Sequence, residues 1–582
     1  MVIMVIKYFG SLNFALILVI LVSLMWDGLI FPYQYSTLLV IVLGIGIIKK
    51  RFNWNHGFDV VELIIIFSIL IMFLSSFFGD YIYGGLRGSL KYLYLWVGWL
   101  LSKDIKEKSG SETVIRSIVT TITIFAAISL IETLVPRWST IYSGRLSSNM
   151  GYANTFGALC GMGLILAGWS SLFENHIVRR IVIFVLGSAL ILTQSRAAIA
   201  FLLIIGGAPY FFANPKSLVK KLPLAFILLM VLFLTQSRIL DWDLHISTIA
   251  ARLSYYIDAF ILLSKNWLLG IGPDNWQWKQ HEVQSTLYFV RDVHSGLLKV
   301  LLDGGIFSLP LIIVFSYISI ENCFSSKLQT KFVGLAAAYG LVHSFIDLNF
   351  TFPAFLLILG LILGAVFEPK KILIPGRTKF IAPVFIALVL FGTWVATSEF
   401  FFKMGQVNII HARFLTDFNP LYSENFDNLG LEALNRGEET GELKHFSLAL
   451  KYFNKASLLN SQDPIPVKIM GEMMFKLKLF EESTSYLERL IVLQPLHRAN
   501  YEALALTLFK AGEKMESEGN STKAIYYFKR LATLSERISV VEKRQISKFD
   551  YIEAQAPKYL SKSPIIAKLV KDAETRLHRY NI

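Results

Sequence analysis

Apolar stretches recur along the first two thirds of the chain, with short polar breaks between them. The pattern predicts helical spans near 14–31, 33–48, 60–78, 88–102, 113–135, 151–173, 181–194, 197–213, 222–236, 294–320, 331–350, 352–367 and 380–399. A helix needs roughly 20 apolar residues to cross a bilayer, so the chain reads as an all-α, polytopic membrane bundle of about thirteen spans. Residues 237–292 interrupt this pattern with polar and aromatic positions and read as one large external loop. Beyond about Lys403 the pattern becomes amphipathic and charged. Two domains follow: a membrane body, 1–399, and a soluble helical tail, 403–582.

The tail repeats weakly. Ala449–Pro464 (ALKYFNKASLLNSQDP), Ser483–Pro495 (STSYLERLIVLQP) and Ala524–Glu536 (AIYYFKRLATLSE) each carry Ala or Ser, then aromatics at helical spacing, then a Leu-rich end. The imperfect period, close to 34, resembles tetratricopeptide helix pairs, in which each pair buries its apolar stripe against the next. A plain helical bundle is the alternative. Either reads as a docking surface, without a catalytic constellation.

Composition sharpens this picture. The 582 residues are 54% hydrophobic and only 17% charged, a balance unlike that of a soluble protein. The net charge of +14 suggests anionic partners, but its distribution says more. Lys49–Arg51, Lys103/Lys106/Lys108, Arg179–Arg180, Lys216/Lys220/Lys221, Lys327/Lys331 and Lys370/Lys371 with Arg377 and Lys379 fall on alternate inter-span segments. The positive-inside rule places these in the cytoplasm. The N-terminus is then cytoplasmic. Pro136–Met150, the Gln194–Arg196 turn, the 237–292 loop and the tail are extracytoplasmic. The first apolar run lacks a small-residue cleavage site, so Phe14–Ile30 reads as a retained span. Cys160 and Cys323 support neither a disulfide framework nor a metal cluster.

Four arginines fall at external membrane edges: Arg145, Arg196, Arg252 and Arg291. Charge beside hydrocarbon is costly and either faces a polar cavity or snorkels to headgroups. Arg196 sits between two short apolar runs, which suggests a helix pair meeting in an inward turn. Guanidinium forks match phosphate oxygens, so several converging on one cavity suit a pyrophosphate. His294 begins a long apolar run just after Arg291 and Asp292; its imidazole can take a proton from a sugar hydroxyl near neutral pH. Capping a helix is its simpler role. His343 and Asp347 lie four apart and read as one helix face, with Asp347 at the external end to orient a histidine or bind an acceptor hydroxyl. Gly270–Asn275 (GIGPDN) is a chain turn, not a phosphate loop, because no strand precedes it and no Lys-Ser/Thr follows. Asp241 and Asp243 are two loop carboxylates, too few to argue a metal site. The chemistry needs no metal and no cofactor: arginines can stabilise a departing lipid pyrophosphate electrostatically. An external glycosyl transfer must draw on lipid-linked donors, since nucleotide sugars stay in the cytoplasm.

With these pieces in place the chain resembles the O-antigen ligase/polymerase family of bacterial membrane glycosyltransferases. The resemblance rests on Ser143–Gly157 (SGRLSSNMGYANTFG), Gln194–Ala198 (QSRAA), Arg252–Ala259, Leu269–Trp276 (LGIGPDNW), Val293–Ile306 (VHSGLLKVLLDGGI) and His343–Pro353, in the family's order, over roughly 140–365. It implies a GT-C-like bundle with a large external loop, and transfer of a glycan from undecaprenyl pyrophosphate to an acceptor on a glycan, lipid or protein. It carries the essential arginines onto Arg196 and Arg252 and the essential histidine onto His294; where the family usually has Asn next, this chain has Ser295. The expected site is His294 as base, oriented by Asp292 or Asp347, with Arg196 and Arg252 clamping the donor and Arg145 and Arg291 assisting. Expected partners are the donor, the acceptor, membrane lipids and proteins docking on the tail, with no nucleic acid. Polymerisation of repeat units and O-glycosylation of protein share this chemistry. A lipid-linked glycan transporter or scaffold would share the arginines but not the base.

Overall fold

The computed structural model describes residues 2–48, 58–135, 140–169, 171–207, 242–368, 377–406, 408–545 and 560–580. The chain is all-α apart from one antiparallel pair, Ile141–Tyr142 against Arg145–Leu146, the only sheet among the described residues. Among the described residues four helices are long and apolar enough to cross a membrane: Ser111–Glu132, His176–Thr193, Ile306–Cys323 and Pro383–Gly405. Six more apolar helices are shorter, among them Val60–Ser76, Ala153–Ala167 and Pro353–Val366. The expected span 222–236, the last part of 197–213 (from 208 on) and Asp241 lie outside the described residues.

The centre of the bundle is the contact between Ile82–Ser109 and Pro353–Val366. Glycines set its depth. A Cβ on Gly98 would meet the Leu357 carbonyl oxygen at 2.3 Å, and one on Gly360 the Leu95 oxygen at 2.3 Å. Backbones pack this closely in membranes where small residues remove the side chain between them.

Three expectations need correction. The run 294–320 is not one helix: Gly296–Gly304 ends at Gly305, and Ile306–Cys323 begins a second. Gly305 takes φ +62°, and a Cβ there would meet the Leu268 carbonyl oxygen at 2.1 Å, so only glycine fits this break. Apolar residues on both sides hid it. The lysines at 103, 106 and 108 are the last turns of the helix Ile82–Ser109 rather than a loop. There Lys103 donates to Asp59 at 2.7 Å and Glu62 at 3.2 Å, so carboxylates keep the helix intact. Finally, the stretch 237–292, expected as one loop, carries a long helix among its described residues. This helix is Trp242–Lys265, whose buried Ala259 and Leu262 form an apolar cluster with Ile271, Trp276 and Val293.

The tail is a chain of helix hairpins: Ser423–Thr440 with Leu443–Leu459, Pro464–Lys476 with Phe480–Leu493, and Arg498–Ser517 with Ser521–Ala532. In each, a glycine of the first helix admits a large side chain of the second. A Cβ would strike Phe453 from Gly430, Leu487 from Gly471 and Phe528 from Gly512. The tail's apolar cluster runs from Ala433 to Leu577, while Leu415 and Tyr422 belong to that of the membrane body. At the joint, half-buried Arg87 donates to Glu399 at 3.0 Å and Glu424 at 2.9 Å, ringed by Tyr81, Tyr83 and Tyr422.

Candidate functional site

Five separate stretches meet at one end of the bundle. Asp347 is their centre. It lies in a turn beyond the helix Leu328–Phe345, not on that helix's face with His343 as the four-residue spacing implied. Its buried carboxylate accepts from Tyr152 Oη at 2.6 Å, Asn154 Nδ2 at 2.8 Å, the Leu348 amide at 2.8 Å and Arg252 Nη2 at 3.0 Å. Four donors leave it little capacity to bind an acceptor hydroxyl; its geometry holds an arginine instead.

Arg252 also donates Nη1 to the Ile346 carbonyl at 3.0 Å. A guanidinium has five N–H donors, so two bonds fix its plane and leave others for a ligand. Arg145, anchored by the short strand pair, donates Nε to the Thr193 carbonyl at 2.9 Å and Nη2 to Asn154 at 2.5 Å. The chain from Arg145 through Asn154 and Asp347 to Arg252 is therefore continuous. Gln194 in the left-handed conformation turns the backbone between two helices, and Arg196 opens the second of them with its side chain exposed. The Arg145–Thr193 bond ties that turn to the network.

His294 joins from the loop. Tyr256 Oη donates to its carbonyl at 2.6 Å and lies 3.3 Å from that of Ile346, so one hydroxyl ties the His294 backbone to the Asp347 turn. Tyr255 stacks on the imidazole with centroids 5.7 Å apart. The imidazole Nδ1 has no hydrogen-bond partner among the described residues. Ser295 caps the next helix, its hydroxyl accepting the Leu298 amide at 3.3 Å. Asn is as good an N-cap as Ser, so this departure from the family pattern keeps the local geometry.

The structure does not gather every expected residue. Asp292 turns away from His294 to accept Lys299 Nζ at 2.7 Å. Arg291 stacks its guanidinium over Phe31 at 5.9 Å, apart from the Asp347 network. Both border a second cluster that sequence reasoning missed. Lys91 donates to Asp274 at 2.6 Å, Lys299 lies 3.2 Å from Asp303, and Tyr92 donates to Asp303 at 2.6 Å, all buried. Burial alone would raise the Asp274 carboxyl, but Lys91, Lys299 and Arg291 hold it well below the usual carboxylate range. A lysine inside an apolar run (SLKYLYLW), and Lys299 with Asp303 one helical turn apart, were the available signals.

Helices apolar enough to span, with a polar centre that holds Arg145 and Arg252 at one end, mark an all-α membrane protein. Residues 181–313 match a family model described as O-Antigen ligase. That match holds Arg196, Arg252 and His294, and supports ligase- or polymerase-like activity in cell-surface polysaccharide biosynthesis. Arg145 and Asp347 lie outside it. No curated relative matches the chain.

Proposed function

We propose that the chain transfers a glycan from undecaprenyl pyrophosphate to an acceptor hydroxyl at the extracytoplasmic face of the membrane, without a metal. Arg252 and Arg196 hold the pyrophosphate, and Arg145 supports the polar network around them. His294 takes the acceptor proton as the acceptor oxygen attacks the anomeric carbon. The bond from that carbon to the phosphate oxygen breaks, and undecaprenyl pyrophosphate leaves with its charge on the arginines. Displacement from the opposite face inverts the anomeric centre. Asp347 positions Arg252 rather than the base. The single observation that carries this reading is that Arg252 and His294, distant in sequence, are tied to one turn at Ile346–Asp347. The tail hairpins, read as tetratricopeptide-like repeats, would hold the growing glycan, the acceptor or an assembly partner.

The test uses the full chain in lipid vesicles with a synthetic undecaprenyl-pyrophosphate glycan and a range of acceptors, read by mass spectrometry. His294→Ala is expected to bind donor but not turn it over; Arg252→Ala is expected to lose donor binding. A His294→Ala protein that still turns over would sink the catalytic assignment, and one that still carries the lipid across would favour a transporter.

A further inference from the structure

The helix Trp242–Lys265 makes up the first part of the expected external loop. One side of it does not suit water. Ile249 is 66% exposed and Phe260 58%, with Leu253 and Ser264 also exposed on the same helical stripe. The opposite side, with Ser254, Asp258, Ala259 and Leu262, is buried. The stripe carries no charge until Lys265, exposed in the last turn.

The apolar surface continues past the helix end. Trp267, 59% exposed, and Leu268 extend it. The Ile306 amide then donates to the Trp267 carbonyl at 2.8 Å, joining this corner to the start of the span Ile306–Cys323. There Ile306, Phe307, Ile313 and Tyr317 stand exposed along a helix that can cross a membrane. Outward apolar side chains on such a helix meet acyl chains. A stripe contiguous with them meets the same medium. Lys265 and Trp267, at the corner, are the residue types that anchor at lipid headgroups.

We infer that Trp242–Lys265 is an interfacial helix, lying along the membrane surface with its Ile249–Leu253–Phe260 stripe in the leaflet. Its partner is the bilayer, because the stripe is joined through the Ile306–Trp267 bond to the exposed face of a helix that can cross a membrane. Arg252 is one residue from Leu253, about 100° around the helix. The helix therefore carries its guanidinium at headgroup depth. Where the glycosyl-transfer reading holds, that is the depth of a lipid-linked pyrophosphate, and the helix forms one wall of a sideways path for the donor from the leaflet.

The location is testable without any activity. Cys160 and Cys323 are replaced by Ser, and single cysteines at Leu253 and Phe260 carry nitroxide labels in the full chain, reconstituted in phosphatidylethanolamine–phosphatidylglycerol vesicles. Ile313 serves as a lipid-facing reference and exposed Lys571 as an aqueous one. Power saturation compares oxygen, which concentrates in lipid, with a water-soluble nickel chelate. At Leu253 and Phe260 the ratio of oxygen to nickel accessibility should exceed that at Lys571 severalfold and approach that at Ile313. A ratio like that at Lys571 places the helix in water and overturns the inference. Immobilised labels shielded from both reagents also overturn it, since they mean cover by protein. Neither result depends on whether the chain transfers a glycan.

Discussion

Two clusters of charge lie near each other at one end of the bundle, and they use the same residue types differently. In one, Lys91, Lys299, Asp274, Asp292 and Asp303 are all buried and engage one another. In the other, Asp347 is buried but Arg252 keeps 24% of its side chain accessible, and Arg196 is exposed. The first is closed: each lysine meets carboxylates on other elements, so the cluster staples the 270–275 turn and the loop end at Asp292 to two helices. The second is open: the Asp347 carboxylate is used up by its donors, while the Arg252 guanidinium stays part accessible. A cation left part accessible beside a used-up anion reads as a site, whereas cations buried among several carboxylates read as architecture.

The largest expected effect breaks this comparison at the open cluster. His294→Ala should cost about 10²–10⁴ in turnover, the usual contribution of a general base. The thermal unfolding midpoint of the purified protein should stay put. Arg252→Ala should weaken donor binding, read by equilibrium binding, and should also lower the unfolding midpoint, because it leaves the buried Asp347 carboxylate without its cation. A large drop in unfolding temperature for His294→Ala would make it a structural residue and erase the distinction.

The closed cluster should fail in the opposite way. Lys299→Met leaves Asp292 and Asp303 buried without their cation, and breaking a buried pair from one side costs on the order of 3–5 kcal/mol. The expected result is poor accumulation or early unfolding in detergent. Adding Asp292→Asn and Asp303→Asn to Lys299→Met should recover much of the loss. If the single variant unfolds like the parent, the cluster is not the staple described.

Much of the open cluster was legible in the chain. Arg145 and Arg252 beside apolar runs, a histidine at a span boundary and an acid after His343 stand in the network or at its edge, whereas Arg291 does not. What the sequence does not carry is the partner. Asp292 is two residues from His294, yet it bonds Lys299, because the backbone between them turns the two side chains apart. Tyr152 and Asn154 sit in the quoted SGRLSSNMGYANTFG stretch, but nothing local says that they reach residue 347. Lys91 was hidden as one polar position in an apolar helix. The break at Gly305 was hidden because hydropathy cannot see a backbone carbonyl from Leu268 pressing on a glycine.

The tail offers a milder contrast, since its buried charges include acids without cations. Burial, with Asp463 and Glu424 nearby, pushes Asp427 up to about 8. Burial likewise pushes Asp463 up to about 7, opposed by the Ile465 amide it caps. Acids with raised folded-state values favour the folded state while protonated. Their contribution is present at low pH and is lost as pH rises through the folded values, from about 4 towards about 8. The tail should therefore unfold at lower temperature in mildly alkaline buffer than in mildly acidic buffer. Asp427→Asn should flatten that slope and add on the order of 1–2 kcal/mol at neutral pH. An unchanged slope in Asp427→Asn would place the pH dependence elsewhere.

The smallest effect tests the boundary between the clusters, at Ser295. One residue before it stands His294, in the open cluster; four after it stands Lys299, in the closed one. Its hydroxyl caps the half-helix Gly296–Gly304, which carries Lys299 and Asp303. Losing a cap costs about 1 kcal/mol, whereas exchanging Ser for Asn costs almost nothing. Ser295→Ala should lower the unfolding midpoint slightly, while Ser295→Asn should match the parent. If the cap does nothing else, turnover in both variants should track stability alone. If Ser295→Asn instead changes the KM for acceptor at constant midpoint, this side chain belongs to the open cluster and reaches the acceptor. Position 295 would then sit on the line where architecture passes into chemistry, and the two clusters would be joined through a single helix N-terminus.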